Sequence, residues 1–452
     1  MSIHTRPAGK PKVAVIGGGW AGLAAAEALA GQADVTLFEA GKTLGGRARA
    51  VAADSNNFAF LDNGQHLLVG AYQQCLALLA RAGVAEADAF LRLPLTWHMA
   101  DGVQFQAARL PSPWHLLLGV LGAKGAAWGE KTALLQQMRA LQQWHRRQQQ
   151  NGADIDVAQW LRQHGVSQKW QQQFWQPLVW GSLNTDLGQA STARLANVLA
   201  DGVWRERAHS DMLIATGDLQ QSWVAPVAAW VEKQGVAVHT GSRIGTLRLA
   251  GESEQIWVDE HSFSHVIVAV APYHVAALLP PQTPPEFQAA LNALHYRAIT
   301  TVYLRYPQAL PLPHAITGLA KGTAQWLIAR GSLGGNAQEV AAVVSLSDQY
   351  GTLSNEEWIE RVHQDLLRLY PDLPPPMAGR AITEKRATIE SRPDMAPVPQ
   401  AWLRGQGVYL AGDYIHPRYP ATLEAAVQSG QAAAAALLAD WQQRPATEMK
   451  RL

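Results

Sequence analysis

The 452-residue sequence has a single cysteine, Cys75, so it cannot form an intramolecular disulfide framework or an all-thiolate metal site. The same scarcity excludes a Cys-ligated iron–sulfur relay. Charge is also sparse. Only 16% of residues are Asp, Glu, Lys or Arg, and 37 basic against 36 acidic side chains leave a formal net charge of +1. That balance gives no bulk electrostatic basis for nucleic-acid binding. No stretch reaches the roughly 18–20 apolar residues that a bilayer-spanning helix needs. Lys10 and Lys12 before the apolar run 13–30 mimic a secretory leader, but the fixed glycine spacing and Glu27 inside the run argue against one. The expectation is a cytoplasmic protein, soluble or in peripheral contact with the inner face of the membrane.

What is abundant is apolar. Hydrophobic residues make up 48% of the chain, enough for a large core spread over two or three domains or subdomains. Tryptophan (17) outnumbers tyrosine (10) and phenylalanine (8), and nine of the tryptophans fall between Trp97 and Trp204. Such a charge-poor segment suits a wide apolar pocket, a membrane-facing surface or ordinary helix packing. The run from Pro113 to Val120 shares this ambiguity, reading either as buried or as a segment that dips into a membrane face.

The first motif opens the chain. The β-branched run Val13–Ile16 leads into Gly17, Gly18 and Gly19, and then into the helix-forming stretch Ala21–Ala30 around Gly22. A second strand, Asp34–Phe38, ends at Glu39 and Ala40. Strand, tight glycine turn, helix, and an acid about 20 residues on make up the dinucleotide-binding fingerprint. Gly17 allows the turn, Gly19 lets backbone approach a pyrophosphate, and Gly22 lets the helix sit close to the strand. The helix N-terminus at Trp20 and Ala21 offers amide N–H groups to phosphate. Glu39 is placed to accept hydrogen bonds from ribose hydroxyls.

Leu44, Gly45, Gly46 and Arg47 follow almost at once. Near the other end, the strand 407–410 runs into Ala411, Gly412 and Asp413, ahead of a helix 422–438 with Thr422 as cap, Leu423 next and Glu424 in the first turn. On these residues the sequence resembles the flavin amine oxidase and phytoene desaturase superfamily. The resemblance implies FAD as cofactor, Arg47 near its phosphates, Gly412 and Asp413 near the ribityl phosphate, and backbone contacts to adenine near Ile244. It also implies that Gly64, Gln65 and His66, at the end of the run from Asp62, pass beside the isoalloxazine ring. The fold class expected is α/β: a Rossmann-like FAD-binding domain of glutathione-reductase type, with an inserted α+β substrate domain. The cofactor domain would be discontinuous, at residues 1–95, 206–285 and 386–445, and the substrate domain would occupy 96–205 and 286–385. Within the first insertion, Leu134, Met138, Leu141 and Trp144 fall on one helical stripe, and Trp170, Phe174 and Leu178 on another capped by Ser167.

The run Asp62–His66, the Trp-rich insertion with Gln176, Pro177, Leu178 and 184–186, and the segment 385–388 narrow the likeness. They look like the hydroxysqualene dehydroxylases, also called squalene-associated FAD-dependent desaturases, of bacterial hopanoid pathways. That resemblance implies an apolar isoprenoid substrate, hydroxysqualene, converted to squalene with electrons from reduced flavin. Loss of the allylic hydroxyl as water needs a proton donor. His66 stands for that role or for a structural histidine satisfied by its loop, with Arg418 and Tyr419 as alternatives lining the site. A carotenoid-type desaturase and a flavin amine oxidase share the same motifs; for the latter, Lys321 is the candidate for the lysine that such enzymes hold by the flavin. A non-catalytic lipid carrier that keeps FAD as a structural element is a further reading. The sequence names no electron donor for the flavin.

Overall fold

A computed structural model describes residues 9–52, 57–149, 152–249, 255–419 and 421–443. The outer ends of the expected cofactor-domain segments, 1–8 and 444–445, lie outside the described residues.

Strand β1 (Lys12–Ile16) is buried on both faces apart from Lys12, which suits a parallel strand covered by helices. It pairs in parallel with β2 (Asp34–Phe38) on one side and with β4 (His265–Val268) on the other. The chain-distant strands β3 (Ala237–His239) and β5 (Val408–Leu410) complete a five-stranded parallel sheet in the order β3-β2-β1-β4-β5. Connections leave β1 and β4 in opposite directions, so a crevice opens at the carboxyl end of β1. Helix α1 (Trp20–Leu29) is buried nearly all round, because the long helix α2 (Leu423–Gln443) packs along it. Contact is close enough that a Cβ on Gly430 would overlap the Ala21 carbonyl. Sequence reading placed α2 at 422–438; it runs to Gln443, with Thr422 Oγ1 accepting from Ala425 N at 3.0 Å as its cap. Strand β3 is short, since Gly235 and Gly241, both at positive φ, bracket Ala237–His239.

A second, antiparallel sheet joins Ile316–Gly318, Trp326–Ala329, Glu339–Ser345, Tyr296–Arg305 and Ala378–Ile389 in that spatial order. One face is covered by helix Asn355–Leu367, opened by a Ser354/Glu357 capping box and packed through Trp358, Val362 and Leu366. Ile299, Thr301 and Tyr303 alternate onto the other face with their cross-strand partners Glu384, Ile382 and Arg380. The strand Ala378–Ile389 runs unbroken through residue 386, where sequence reading set a boundary.

Helices make up the other inserted lobe. In Trp128–Gln148, Leu134 and Leu141 are buried while Met138 and Trp144 are half-buried against the same core. Ser167 caps the next helix as expected, by accepting from Trp170 N. That helix then passes through a π-turn, Gln171–Trp175, just before Pro177, which has no N–H to donate. The π-turn shifts the phase of the expected stripe: Trp170, Phe174 and Trp175 are buried, and Leu178 is only half-buried.

Candidate active site

Gly17, at φ +110°, turns the chain out of β1 and donates its N–H to Phe38 O at 2.7 Å. A Cβ on Gly22 would overlap the Gly17 carbonyl, so glycine is what lets α1 begin directly above the turn. Among the described residues no side chain caps α1 at Gly19. Facing it is the second glycine turn: Gly45 donates to Gly18 O at 2.9 Å, and a Cβ on Gly46 would lie 3.1 Å from Gly19 Cα. Two backbone turns thus form a cradle that only glycines permit. Glu39 closes one end, accepting from Gly18 N at 2.7 Å and from Gly41 N at 2.6 Å. Ser242 N donates to Glu39 O, which brings half-buried Ile244 close in sequence to that end; Ala40 is exposed beside it. Ala21 is buried under the turn. Trp20 faces inward, its Nε1 donating to Ala48 O at 3.2 Å and its ring set edge-on to Trp223, so it braces the two turns from behind.

Arg47 reaches the opposite end of the chain. Its guanidinium lies 2.6 Å from Asp413 Oδ1 and donates to Ala387 O at 2.7 Å. Burial works against its charge, and the Asp413 carboxylate more than offsets that, raising the Arg47 pKa. Asn63 Nδ2 donates both to Arg47 O and to Glu384 Oε2, each at 3.1 Å, tying this corner to the antiparallel sheet. Gly412 N is held by Ser429 Oγ of α2 at 2.8 Å.

The next loop carries Gly64, Gln65 and His66. Gly64, at φ +99°, donates to Asp62 O at 2.7 Å. Gln65 Nε2 donates to the Tyr303 hydroxyl at 3.1 Å, and that hydroxyl donates to Asp62 O at 3.0 Å. His66 Nδ1 lies 3.0 Å from Gly64 O. A carbonyl only accepts, so Nδ1 carries the hydrogen and Nε2 presents a lone pair. Burial, with a smaller push from Arg47, lowers the His66 pKa to about 4, although the Gly64 carbonyl opposes the shift. The ring is therefore neutral at pH 7. The contact with Gly64 O fits the reading of His66 as a histidine satisfied by its own loop, and burial works against the proton-donor reading at neutral pH.

Sequence reading missed two partners on the sheet face. Tyr303 is fully buried, and burial pushes its hydroxyl up to about 12. Thr301 Oγ1, also buried, has no hydrogen-bond partner among the described residues and lies 3.8 Å from where a Cβ on Gly64 would sit. The two-residue alternation of Thr301 and Tyr303 was the available signal. Asp62 opens the run to His66. Its carboxyl is buried and pushed up to about 7, although Leu219 N donates to it at 3.0 Å and Arg330 opposes the shift.

The remaining candidates are spread out. Arg418 pairs with Asp201 at 2.9 Å on the rim of a surface groove of about 390 Å³, alongside His145, Arg146 and Arg205. Its guanidinium is therefore engaged by Asp201. Tyr419 stacks on His416 at 4.6 Å, and its hydroxyl accepts from Gln428 Nε2 at 3.4 Å. Leu423 is half-buried against the α1–α2 core. Lys321 is exposed in a turn whose carbonyl accepts from Arg368.

A parallel sheet with a glycine cradle at the carboxyl end of β1, closed by residues from both ends of the chain and faced by an antiparallel sheet, defines a flavoprotein oxidoreductase. The chain belongs to the family of flavin-containing amine oxidoreductases, whose profile matches residues 20–438. It is similar to the hydroxysqualene dehydroxylases of Zymomonas mobilis and Rhodopseudomonas palustris. Each is 26% identical, over 93% and 94% of this chain and 97% and 98% of theirs. The 15-cis-phytoene desaturase of Solanum lycopersicum is 24% identical over 99% of this chain and 81% of its own. Among solved structures, a double mutant of putrescine oxidase matches with a TM-score of 0.71 at 17% identity, covering 95% of this chain and 99% of that one. The fold is the Rossmann-like FAD-binding architecture with an inserted substrate region, and the cofactor is FAD.

Proposed function

We propose that the protein removes the hydroxyl of hydroxysqualene reductively to give squalene, in isoprenoid and hopanoid synthesis. The observation that carries this reading is the end-to-end similarity to hydroxysqualene dehydroxylases, over at least 93% of both chains. In this reading the cofactor-binding unit comprises roughly 1–95, 206–285 and 386–445, and the substrate-binding unit the segments between them. Gly17, Gly19, Gly22 and Gly46 with the α1 N-terminus hold the pyrophosphate, Glu39 the ribose, and Arg47 with Asp413 the adjoining phosphate and ribityl region. When bound in its fully reduced, protonated form, FAD would supply both the hydride and the proton that lets the hydroxyl leave as water.

The chain's own residues prepare the substrate. Beside the Gly64–His66 loop, Phe58, Leu61, Met212, Ile214, Ile316 and Ile328 pack around Tyr303 in a buried apolar cluster. Apolar packing of that kind excludes water from this side of the loop, which strengthens any polar contact made there. His66 Nε2 accepts a hydrogen bond from the substrate hydroxyl and orients the C–O bond, while Nδ1–H stays on Gly64 O. Gln65 is fixed by Tyr303 and holds the loop in register. An amine oxidase reading loses support because its lysine candidate, Lys321, is exposed on the surface.

The test is an anaerobic single turnover, with photoreduced holoenzyme mixed with hydroxysqualene and flavin oxidation followed together with product. Squalene formed in step with oxidised flavin supports the proposal. Flavin that stays reduced with substrate intact overturns it, and oxidised enzyme with phytoene then tests the desaturase reading.

A further inference from the structure

Four of the large hydrophobic side chains that the fold leaves exposed fall within nineteen residues of sequence: Leu110 (40%), Trp114 (56%), Leu118 (46%) and Trp128 (66%). Helix Trp114–Leu121 turns His115, Gly119 and Val120 inward, while Trp114 and Leu118, one turn apart, face out together. Lys131 brings Trp128 into the same ridge: its Nζ donates to Leu121 O at 2.9 Å and sits 5.3 Å from the centroid of the Trp128 ring. This burial pattern resolves the ambiguity of Pro113–Val120. The helix is neither fully buried nor polar outside, but apolar on its solvent side.

Charge flanks the ridge. Arg109 and Lys124 are exposed at its two ends. Ser112 Oγ donates to Trp204 O at 3.2 Å, which ties the start of the helix to the groove lined by Trp204, Arg146, Arg205 and Arg418. Asp201 is the acidic group in that groove, set between Arg205 and Arg418, and exposed Glu206 lies just outside it. Three guanidiniums against one carboxylate leave the groove cationic.

We propose that this face seats the protein on a bilayer that contains anionic phospholipid: Leu110, Trp114, Leu118 and Trp128 enter the headgroup–acyl boundary, and Arg146, Arg205, Arg109 and Lys124 meet lipid phosphates. An apolar ridge alone would fit a protein partner equally well. The cationic flank is what selects an anionic surface, since basic side chains near such a membrane are drawn to its negative surface potential. Docking stands on the surface chemistry, and the dehydroxylase reading adds only its use, namely access to a substrate dissolved in the bilayer.

Co-sedimentation of FAD-loaded enzyme with vesicles tests it, using phosphatidylcholine alone and phosphatidylcholine with about one-third phosphatidylglycerol. The wild type should bind the anionic vesicles, and more weakly as salt rises. Trp114→Glu with Leu118→Glu should lower the partition coefficient roughly tenfold or more, and Arg146→Glu with Arg205→Glu should remove the preference for phosphatidylglycerol. Both variants change exposed side chains, so they should keep wild-type flavin content. No sedimentation of the wild type, or undiminished sedimentation of the Trp114/Leu118 variant, overturns the proposal. So does a wild-type dimer in analytical ultracentrifugation that the same variant dissociates while vesicles go unbound, since the ridge would then belong to a second copy. Binding is read without turnover, so failure of the dehydroxylase assay leaves this test intact.

Discussion

Arg47 and Asp413, 366 residues apart in sequence, meet at 2.6 Å and join the N-terminal glycine turn to the strand-end motif before α2. The guanidinium is half-buried and the carboxylate nearly fully so, so removing either partner strands a charge in a poorly hydrated corner. Asp413→Asn and Arg47→Ala should each weaken FAD binding by roughly ten- to a hundredfold, the range expected for losing a charge-assisted contact of about 1.5–3 kcal/mol. Flavin-to-protein absorbance after gel filtration and a fluorescence titration with FAD measure this. Wild-type flavin content in both variants would detach the pair from the cofactor site.

Asp62 makes stability depend on pH in a defined direction. Its folded pKa of about 7 lies above the ordinary 3.8, so the native state holds a proton that the unfolded chain releases. The stability this provides is complete below about pH 4 and is lost as pH rises through 7. Asp62→Asn keeps an oxygen to accept from Leu219 N and has no charge to develop. The variant should therefore match the wild type near pH 4 and gain on it as pH rises, its advantage at pH 8.5 exceeding that at pH 5.5 by roughly 2 kcal/mol. Denaturant unfolding at pH 5.5 and 8.5 decides; a constant difference at the two values would remove Asp62 as the source.

The cofactor half was legible because its chemistry is local in sequence. Glycine spacing from Gly17 to Gly22, Glu39 at the end of the next strand, and Gly45, Gly46 all act through the backbone within one βαβ unit, so their order reports their geometry. The reacting end was legible only as a run. Nothing in the spacing of Asp62 to His66 says that Gly64 O takes the Nδ1 proton or that burial lowers the ring's pKa, because both follow from a fold that closes over the loop from residues near 300. Tyr303 and Thr301 escaped notice for the same reason. Arg418 was read as lining the site from its nearness to α2 in sequence, but the chain turns there and the side chain goes to Asp201.

Glu424 acts as a cap in trans. Helix Gln73–Arg81 has no side-chain cap of its own at Tyr72, and buried Glu424 in the first turn of α2 accepts from Gln74 N at 3.0 Å and from Cys75 N at 2.9 Å. One carboxylate thus satisfies two N–H groups and locks α2 to the surface helix, with Gln428 donating to it at 2.8 Å. Glu424→Ala should cost about 2–3 kcal/mol, more than an ordinary cap because the freed amides are partly buried. The amides of residues 73–76 should exchange with solvent faster in the variant, and Glu424→Gln, which retains an acceptor, should recover part of the loss. Unchanged exchange in Glu424→Ala would mean that the helix is held by its core face alone.

His66 can be tested through the slope of a pH profile. A group with a pKa of about 4 that must be protonated to act is a smaller fraction of the enzyme at each higher pH, so turnover would fall about tenfold per unit between pH 6 and 8. A neutral ring that accepts a hydrogen bond through Nε2 is fully present across that range, and its contribution to turnover should be level. His66→Ala should cut the single-turnover rate by roughly a hundredfold while the enzyme keeps its FAD. His66→Gln, whose amide oxygen also accepts, should lie between the two. A steep fall in wild-type rate above pH 6 that vanishes in His66→Gln would return His66 to the donor role, whereas a flat profile with the expected ranking of variants leaves it as the acceptor that orients the hydroxyl.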